Sequence, residues 1–286
     1  MAAMTRPTFS PTPSRLVRMR PWVQAAFAVV WLDPLGLRLH NVCGTVFHCY
    51  ACPLALFACP VGVVANFSAL HLVPLLAIGT LLVVGGVFAG FVCGWACPFG
   101  FLQDLIGRIP APKFQLPPWT GNFRYVVLAV TVLAVPFLWG EGHPLFICRL
   151  CPAGTLEGGI YNVGKAAAQG AAVPWPSAAK LIILGLVAAA MLVKWRPWCT
   201  LLCPLGAVFG LFNRVSAIFL RVHPDECTHC GRCARECKVG LKPERQLGDP
   251  TCIRCMDCTR CSAIRVETVL GGGRARGNRP ASGSPA

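Results

Sequence analysis

Charge is scarce in this sequence. Only 13% of its 286 residues are Asp, Glu, Lys or Arg, against 55% hydrophobic, and the mean hydropathy is +0.59. That balance excludes an ordinary soluble globule and reads as a membrane protein with a small polar appendage. Acidic residues are scarcer still, 11 against 26 Lys and Arg, for a formal net charge of +15. The basic residues flank apolar runs, as on the cytoplasmic side of membrane helices, so no nucleic-acid partner is expected. There is no Cys-x2-Cys-His, which excludes covalent c-type haem. Facing histidines within apolar runs, which a b-type haem would need, are missing too; only His71 offers itself. No phosphate-binding glycine loop, flavin fingerprint or Ser–His–Asp order is visible. No small-residue cleavage site follows a compact apolar core, so residues 1–21 read as a retained, basic cytoplasmic tail.

Cysteine, by contrast, is abundant: 18 residues. Eight of them fall in one stretch. Cys227, Cys230, Cys233 and Cys237 are spaced C-x2-C-x2-C-x3-C, and Cys252, Cys255, Cys258 and Cys261 follow as C-x2-C-x2-C-x2-C. The first run has the bacterial ferredoxin spacing for a cubane [4Fe–4S] cluster, in which a tight loop fills three iron corners. In two-cluster ferredoxins the fourth cysteine of each run crosses to the other cluster. Carried onto this chain, one cluster takes Cys227, Cys230, Cys233 and Cys261, and the other takes Cys252, Cys255, Cys258 and Cys237. A pair of zinc knuckles is the alternative, since C-x2-C pairs also bind zinc. Lys238 and Ser262 stand where ferredoxins usually carry Pro, and the shortened second run puts Cys261 in question as a ligand.

Four apolar runs are candidate membrane spans: Trp22–Leu37, interrupted by Asp33 and Pro34, then Leu70–Val92, Phe123–Gly140 and Pro174–Val193. A bilayer needs ~20 apolar residues, which Leu70–Val92 meets best. Lys and Arg concentrate in the N-terminal tail, in the loop with Arg108, Lys113 and Arg124, and after Lys194. Both termini, and the cysteine-rich segment, are therefore expected on the cytoplasmic side of the cell inner membrane. The division reads 1–21 tail, 22–222 membrane domain, 223–270 ferredoxin-like domain and 271–286 disordered tail. The expected fold is an all-α integral membrane four-helix bundle of two pseudo-repeated halves with a C-terminal bacterial 2[4Fe–4S] ferredoxin-like segment.

Each span leads into a cysteine motif: Cys49/Cys52-Pro53 and Cys59-Pro60, Cys93/Cys97-Pro98, Cys148/Cys151-Pro152, and Cys199/Cys203-Pro204. Such duplication points to a pseudo-symmetric bundle with function at the interface between halves. The topology sorts Cys93, Cys97, Cys199 and Cys203 to the inner side and Cys49, Cys52, Cys148 and Cys151 to the outer side, two from each half. Four is the number a cubane needs, so each set is a candidate ligand set for one further [4Fe–4S] cluster. For the inner set the alternative is structural, Cys-Pro-x-Gly merely starting a helix. For the outer set it is disulfides, with Cys43 and Cys59 left over as a disulfide pair or spare ligands. The runs Phe99–Ile109 and Leu205–Leu220 read as interfacial helices, the latter because Asn213 and Arg214 fall within it.

These features together, two C-x3-C-P motifs after the second and fourth spans and a two-cluster ferredoxin segment behind them, resemble the NapH family of membrane quinol-dehydrogenase components over roughly residues 22–265. Relatives include the C-terminal part of NosR and the methylamine-utilisation ferredoxin-type membrane proteins. The resemblance implies electron transfer between the quinone/quinol pool and a redox protein partner, a cytochrome or an iron–sulfur subunit. The outer cysteines and the shortened second ferredoxin run depart from that pattern. His71, at the outer end of the second span, is the quinol-site candidate, because an ionisable group at a membrane span is functional by default; a helix-end histidine at headgroup level is the alternative. His229 reads as a tuner or a spacer. Two other functions fit less of the sequence: a quinone-linked membrane thiol–disulfide oxidoreductase, and a cluster-bearing regulator, maturation factor or metal reductase.

Overall fold

The computed structural model describes residues 15–32, 59–170 and 175–271. Cys43, His48, Cys49, Cys52, the end of the first apolar run and the tail beyond residue 271 lie outside them. The described chain is mostly helical, with α1 Arg15–Leu32, α2 Pro60–Ala69, α3 Leu75–Val87, α4 Pro98–Ile106, α5 Trp119–Trp139, α6 Ala178–Val193 and α7 Pro204–Leu211 as its main elements. Shorter helical turns, among them Ile147–Leu150 and Pro152–Gly154, lie between α5 and α6.

Four helices start by one device. A cysteine sits at the N-cap, proline follows at N1, and the sulfur accepts the N–H of the glycine three residues on. The Sγ···N distances are 3.4 Å for Cys59–Gly62, 3.3 Å for Cys97–Gly100, 3.5 Å for Cys151–Gly154 and 3.1 Å for Cys203–Gly206. Proline fits because its missing N–H is one the first turn cannot use and its φ is already helical. Ahead of α4 and α7 the chain makes matching π-turns, Val92–Ala96 and Trp198–Leu202. They close with Cys97 N–H to Val92 O at 3.2 Å and Cys203 N–H to Trp198 O at 2.8 Å. Single π-turns of this kind mark functional sites more often than chance.

Among the described residues one helix, α5, is long and apolar enough to cross a membrane. At ~1.5 Å rise per residue, α3 and α6 fall short of the ~30 Å hydrocarbon layer. The second apolar run does not form one helix. His71 takes φ 56°, Pro74 sits at the N-cap of α3, and the run breaks again at Ala89, with φ 48°. The run Leu205–Leu220 is not one interfacial helix either. Helix α7 ends at Leu211, a short 3-10 turn follows, and the chain then extends into β1, Ile218–Val222. Asn213 is buried there, 4% exposed, so it does not lie at a lipid interface.

The main core joins both halves of the chain through residues such as Val61, Phe99, Val132, Met191, Leu205 and Phe209. A second, small core of Leu220, Cys233, Leu247, Cys258 and Ile264 belongs to the ferredoxin-like segment. It is closed by a two-stranded antiparallel sheet pairing β1 with β2, Ile264–Thr268, in register Leu220↔Val266.

Candidate metal centre

The two cysteine loops of the C-terminal segment have the same backbone. In the first, His229 and Gly231 take positive φ, 53° and 68°; in the second, Arg254 and Met256 do, 49° and 65°. These residues flank the middle cysteine of each triplet, so both loops turn alike. A non-glycine residue at positive φ is uncommon, and three of the four here are non-glycine, which marks an imposed loop shape. The residue missing from the second run is absorbed locally. Arg232–Glu236 is α-helical before Cys237, whereas Asp257–Arg260 is a 3-10 turn before Cys261. The 3-10 turn uses fewer residues per turn, and Cys261 ends in the same extended conformation as Cys237.

The two loops lie close together: Cys237 and Cys233 of the first both act electrostatically on Cys258 of the second, Cys237 also on Cys252, and Cys261 on Cys233. Burial pushes Cys252 up to about 11 and Cys255 up to about 12. Thiols held this way stay protonated at neutral pH unless a metal displaces the protons, so the donor set suits a cation or cluster far better than water. Cys230 differs: it is exposed, and the backbone N–H of Arg232 holds its thiol below the usual range. His229 and Glu244 bring ligand atoms within 4.8 Å of one another and of the Cys227 sulfur.

A third set of thiols meets where the two halves join. Cys93, Cys97, Cys199 and Cys203 line one chamber, together with Gly90, Arg124, Trp198 and, from the ferredoxin-like segment, Cys252. The two π-turns deliver these cysteines, one pair from each half. Three of these sulfurs already accept N–H donors: Cys97 from Gly100, Cys203 from Gly206, and Cys199 from Gln103 Nε2 at 3.0 Å. Arg124 is 2% exposed on the chamber wall, and its Nε has no acceptor among the described residues. A buried guanidinium with an unused N–H beside four thiols fits an anionic, thiolate-ligated cluster.

Behind the chamber lies a charged network that sequence reading passed over. Asp104 accepts Arg196 Nε at 2.7 Å and Nη2 at 2.5 Å, Arg20 Nη2 at 2.5 Å and Gln24 Nε2 at 3.2 Å. Arg196, fully buried, also donates to Cys93 O at 2.7 Å. Burial works against the Asp104 charge, but Arg196 and then Arg20 outweigh it and hold the carboxyl below the ordinary carboxylate range. Arg20 also approaches Asp257 at 3.9 Å, and Lys238 pairs with Asp257 at 3.1 Å. One network therefore spans α1, α4, the link between α6 and the second π-turn, and the second ferredoxin loop.

Of the outer cysteines, Cys148 and Cys151 are described. Cys59, left over in the sequence reading, belongs beside them: a Cβ on Gly62 would stand 3.6 Å from the Cys59 sulfur and 3.5 Å from that of Cys148. His71 is exposed and stacks on Phe137 of α5, centroids 4.4 Å apart.

Comparison with known proteins agrees with this picture. A 4Fe-4S binding domain family matches twice, over residues 70–117 and 178–223, and another over residues 220–241. The chain carries 4Fe-4S binding domains. The double match falls once in each half, each time on an apolar run with its C-x3-C-P motif. Relatives include ferredoxin-type and electron-transport proteins. An uncharacterized protein of Methanocaldococcus jannaschii is 27% identical over 77% of this chain and 90% of its own. The methylamine utilization ferredoxin-type protein MauN of Methylorubrum extorquens is 32% identical over 54% of this chain and 49% of its own. The regulatory protein NosR of Pseudomonas aeruginosa is 28% identical over 59% and 23%. The M. jannaschii protein apart, the chain spans less than two thirds of these relatives' length. No solved structure matches the chain.

Proposed function

We propose that this protein is a membrane-bound iron–sulfur electron-transfer protein, linking the quinone/quinol pool to a redox protein partner. The observation that carries the reading is the chamber: two cysteine pairs, one from each repeat half, meet there with Cys252 of the ferredoxin-like segment on the same wall. Cys93, Cys97, Cys199 and Cys203 would hold one [4Fe–4S] cluster, and the two crossed sets of the C-terminal segment would hold two more. Such clusters supply one-electron redox chemistry at potentials set by hydrogen bonds, burial and charge. The chain's own part is to aim the thiols, donate N–H groups to the sulfurs and keep water out. Gly100, Gly206 and Gln103 do the second, and the core around Phe99 and Leu205 does the third.

Membrane residence is supported by the outward faces of the apolar helices. Leu76, Leu82 and Val83 on α3, Val130 and Leu133 on α5, and Ile182 and Leu186 on α6 are all exposed. Contiguous apolar patches of this kind are rare on soluble monomers and suit lipid contact. The distribution of Lys and Arg is what supports the four-span reading with both termini inside, since α5 is the one described helix long enough to cross by itself. His71 remains the candidate for quinol contact, exposed at the end of that apolar surface.

The test is iron and acid-labile sulfide per chain on anaerobically purified protein, with low-temperature EPR after reduction. About twelve irons are expected from these three sets at four per cubane, and about sixteen if the outer set also holds a cluster. About eight would empty the chamber and favour a thiol role for Cys59 and Cys148. Zinc without iron would overturn the reading. Reduction of the clusters by a short-chain quinol tests the link to the quinone pool.

A further inference from the structure

We infer that the ferredoxin-like segment is docked in one fixed orientation, with Asn213 as the positioning residue, its Cys252 loop seated in the chamber and its Cys230 loop turned to solvent as the end a soluble redox partner meets. The inference rests on the iron–sulfur reading above.

Asn213 ties three parts of the chain together. Its Oδ1 accepts the Gly90 N–H at 3.1 Å, from the first half. Its Nδ2 donates to Asp249 O at 3.0 Å and Cys252 O at 2.8 Å, on the second cysteine loop. Its backbone carbonyl accepts Arg254 Nη2 at 2.7 Å. Arg254 is 1% exposed, donates also to Ile218 O, and has its own carbonyl held by Trp95 Nε1 at 3.2 Å.

The surface under this loop is cleared to receive it. A Cβ on Gly90 would stand 2.6 Å from Cys252 O, and one on Gly94 or Gly210 would overlap the carbonyl oxygens of Ile253 or Pro250. These glycines come from both halves, and any side chain there would push the loop out. A segment meant to swing as a mobile carrier would not bury an arginine and commit these hydrogen bonds at its hinge.

The other loop has no such cover. Cys230 and His229 are exposed, Gly231 has open space around its Cβ position, and Arg235, Lys242 and Arg245 of the same segment are exposed as well, with Glu244 facing His229 and Arg245. The two loops share a backbone shape and differ in what covers them.

The experiment uses full-length protein with EPR on the reduced clusters, a soluble dysprosium chelate as the paramagnetic probe, and the iron count alongside. Wild type is expected to show one cluster signal whose relaxation the chelate accelerates several-fold, and others it leaves almost unchanged. Cys230→Ser identifies the sensitive signal by altering it. Asn213→Ala, with Gly94→Val as a second route should the first not fold, is expected to keep the iron of the ferredoxin-like segment. Either variant makes a second signal chelate-sensitive. Equal acceleration of both ferredoxin-segment signals in wild type overturns the fixed orientation. An unchanged chelate response in both folded variants removes Asn213 and the glycine track as its cause. Failure of the iron–sulfur reading is a separate result, seen as loss of iron from wild type. Eight irons would empty the chamber yet still leave the chelate comparison to decide the orientation.

Discussion

Asp104→Asn would leave Arg20 and Arg196 facing a neutral amide where neither reaches water; they are 5% and 0% exposed. Removing one partner of a buried ion pair costs about 3–5 kcal/mol, because the remaining charge is stranded. Against a total stability of about 5–15 kcal/mol, that is a large share. The Asp104 carboxyl is held below its usual range, by Arg196 and Arg20 against the opposing effect of burial. A group whose folded pKa is depressed gives stability that is complete above its unfolded pKa of ~3.9 and fades as pH falls through the folded value. The gap between Asp104→Asn and wild type should therefore stay constant from about pH 8 to pH 5 and close only below about pH 4. Denaturant unfolding in detergent, followed together with iron retention, measures it. Because Arg196 also holds the Cys93 carbonyl, the variant should lose iron from the chamber before it loses helix content. A stability within about 1 kcal/mol of wild type at neutral pH, or a gap that closes between pH 7 and pH 5, would refute the reasoning.

Gln103→Leu removes the N–H donor to Cys199 Sγ, and such donors favour the more negative, reduced cluster. One chamber signal should fall in midpoint potential by about 20–60 mV in a redox titration, with the ferredoxin-segment signals unmoved. In cluster-free protein, alkylation of the ferredoxin-like segment should mark exposed Cys230 first and reach buried Cys258 last, as burial and a raised pKa require; mass spectrometry of a time course reads the order, and equal labelling would contradict it. Arg235→Glu with Lys242→Glu should slow reduction of the Cys230 end by anionic dithionite relative to a cationic viologen, an effect that salt erases. No change in that ratio in stopped-flow would mean the basic rim steers nothing.

The ferredoxin-like segment was legible because its information is local. Three thiols at fixed spacing define a loop, and the loop brings its own turn residues. Even the shortened second run was readable in principle, since a 3-10 turn is the available way to reach Cys261 with one residue fewer. The pairing of two C-x3-C-P motifs could also be anticipated from repetition and sidedness alone, although Arg124 and Gln103, which finish that chamber, carry no sequence signal. What composition could not convey is contact between distant parts. Asn213 in an apolar stretch looks like a surface residue, because hydropathy assigns a polar group to water and cannot see the Gly90, Asp249 and Cys252 backbone that satisfies it instead. The same contact explains the broken second run. A window sum over Leu70–Val92 finds one long apolar helix, yet the chain bends at Ala89 and Gly90 where the Cys252 carbonyl must approach. Hydropathy sums the preferences of these residues and says nothing of their shape, because that shape is dictated by a loop that arrives from the far end of the chain.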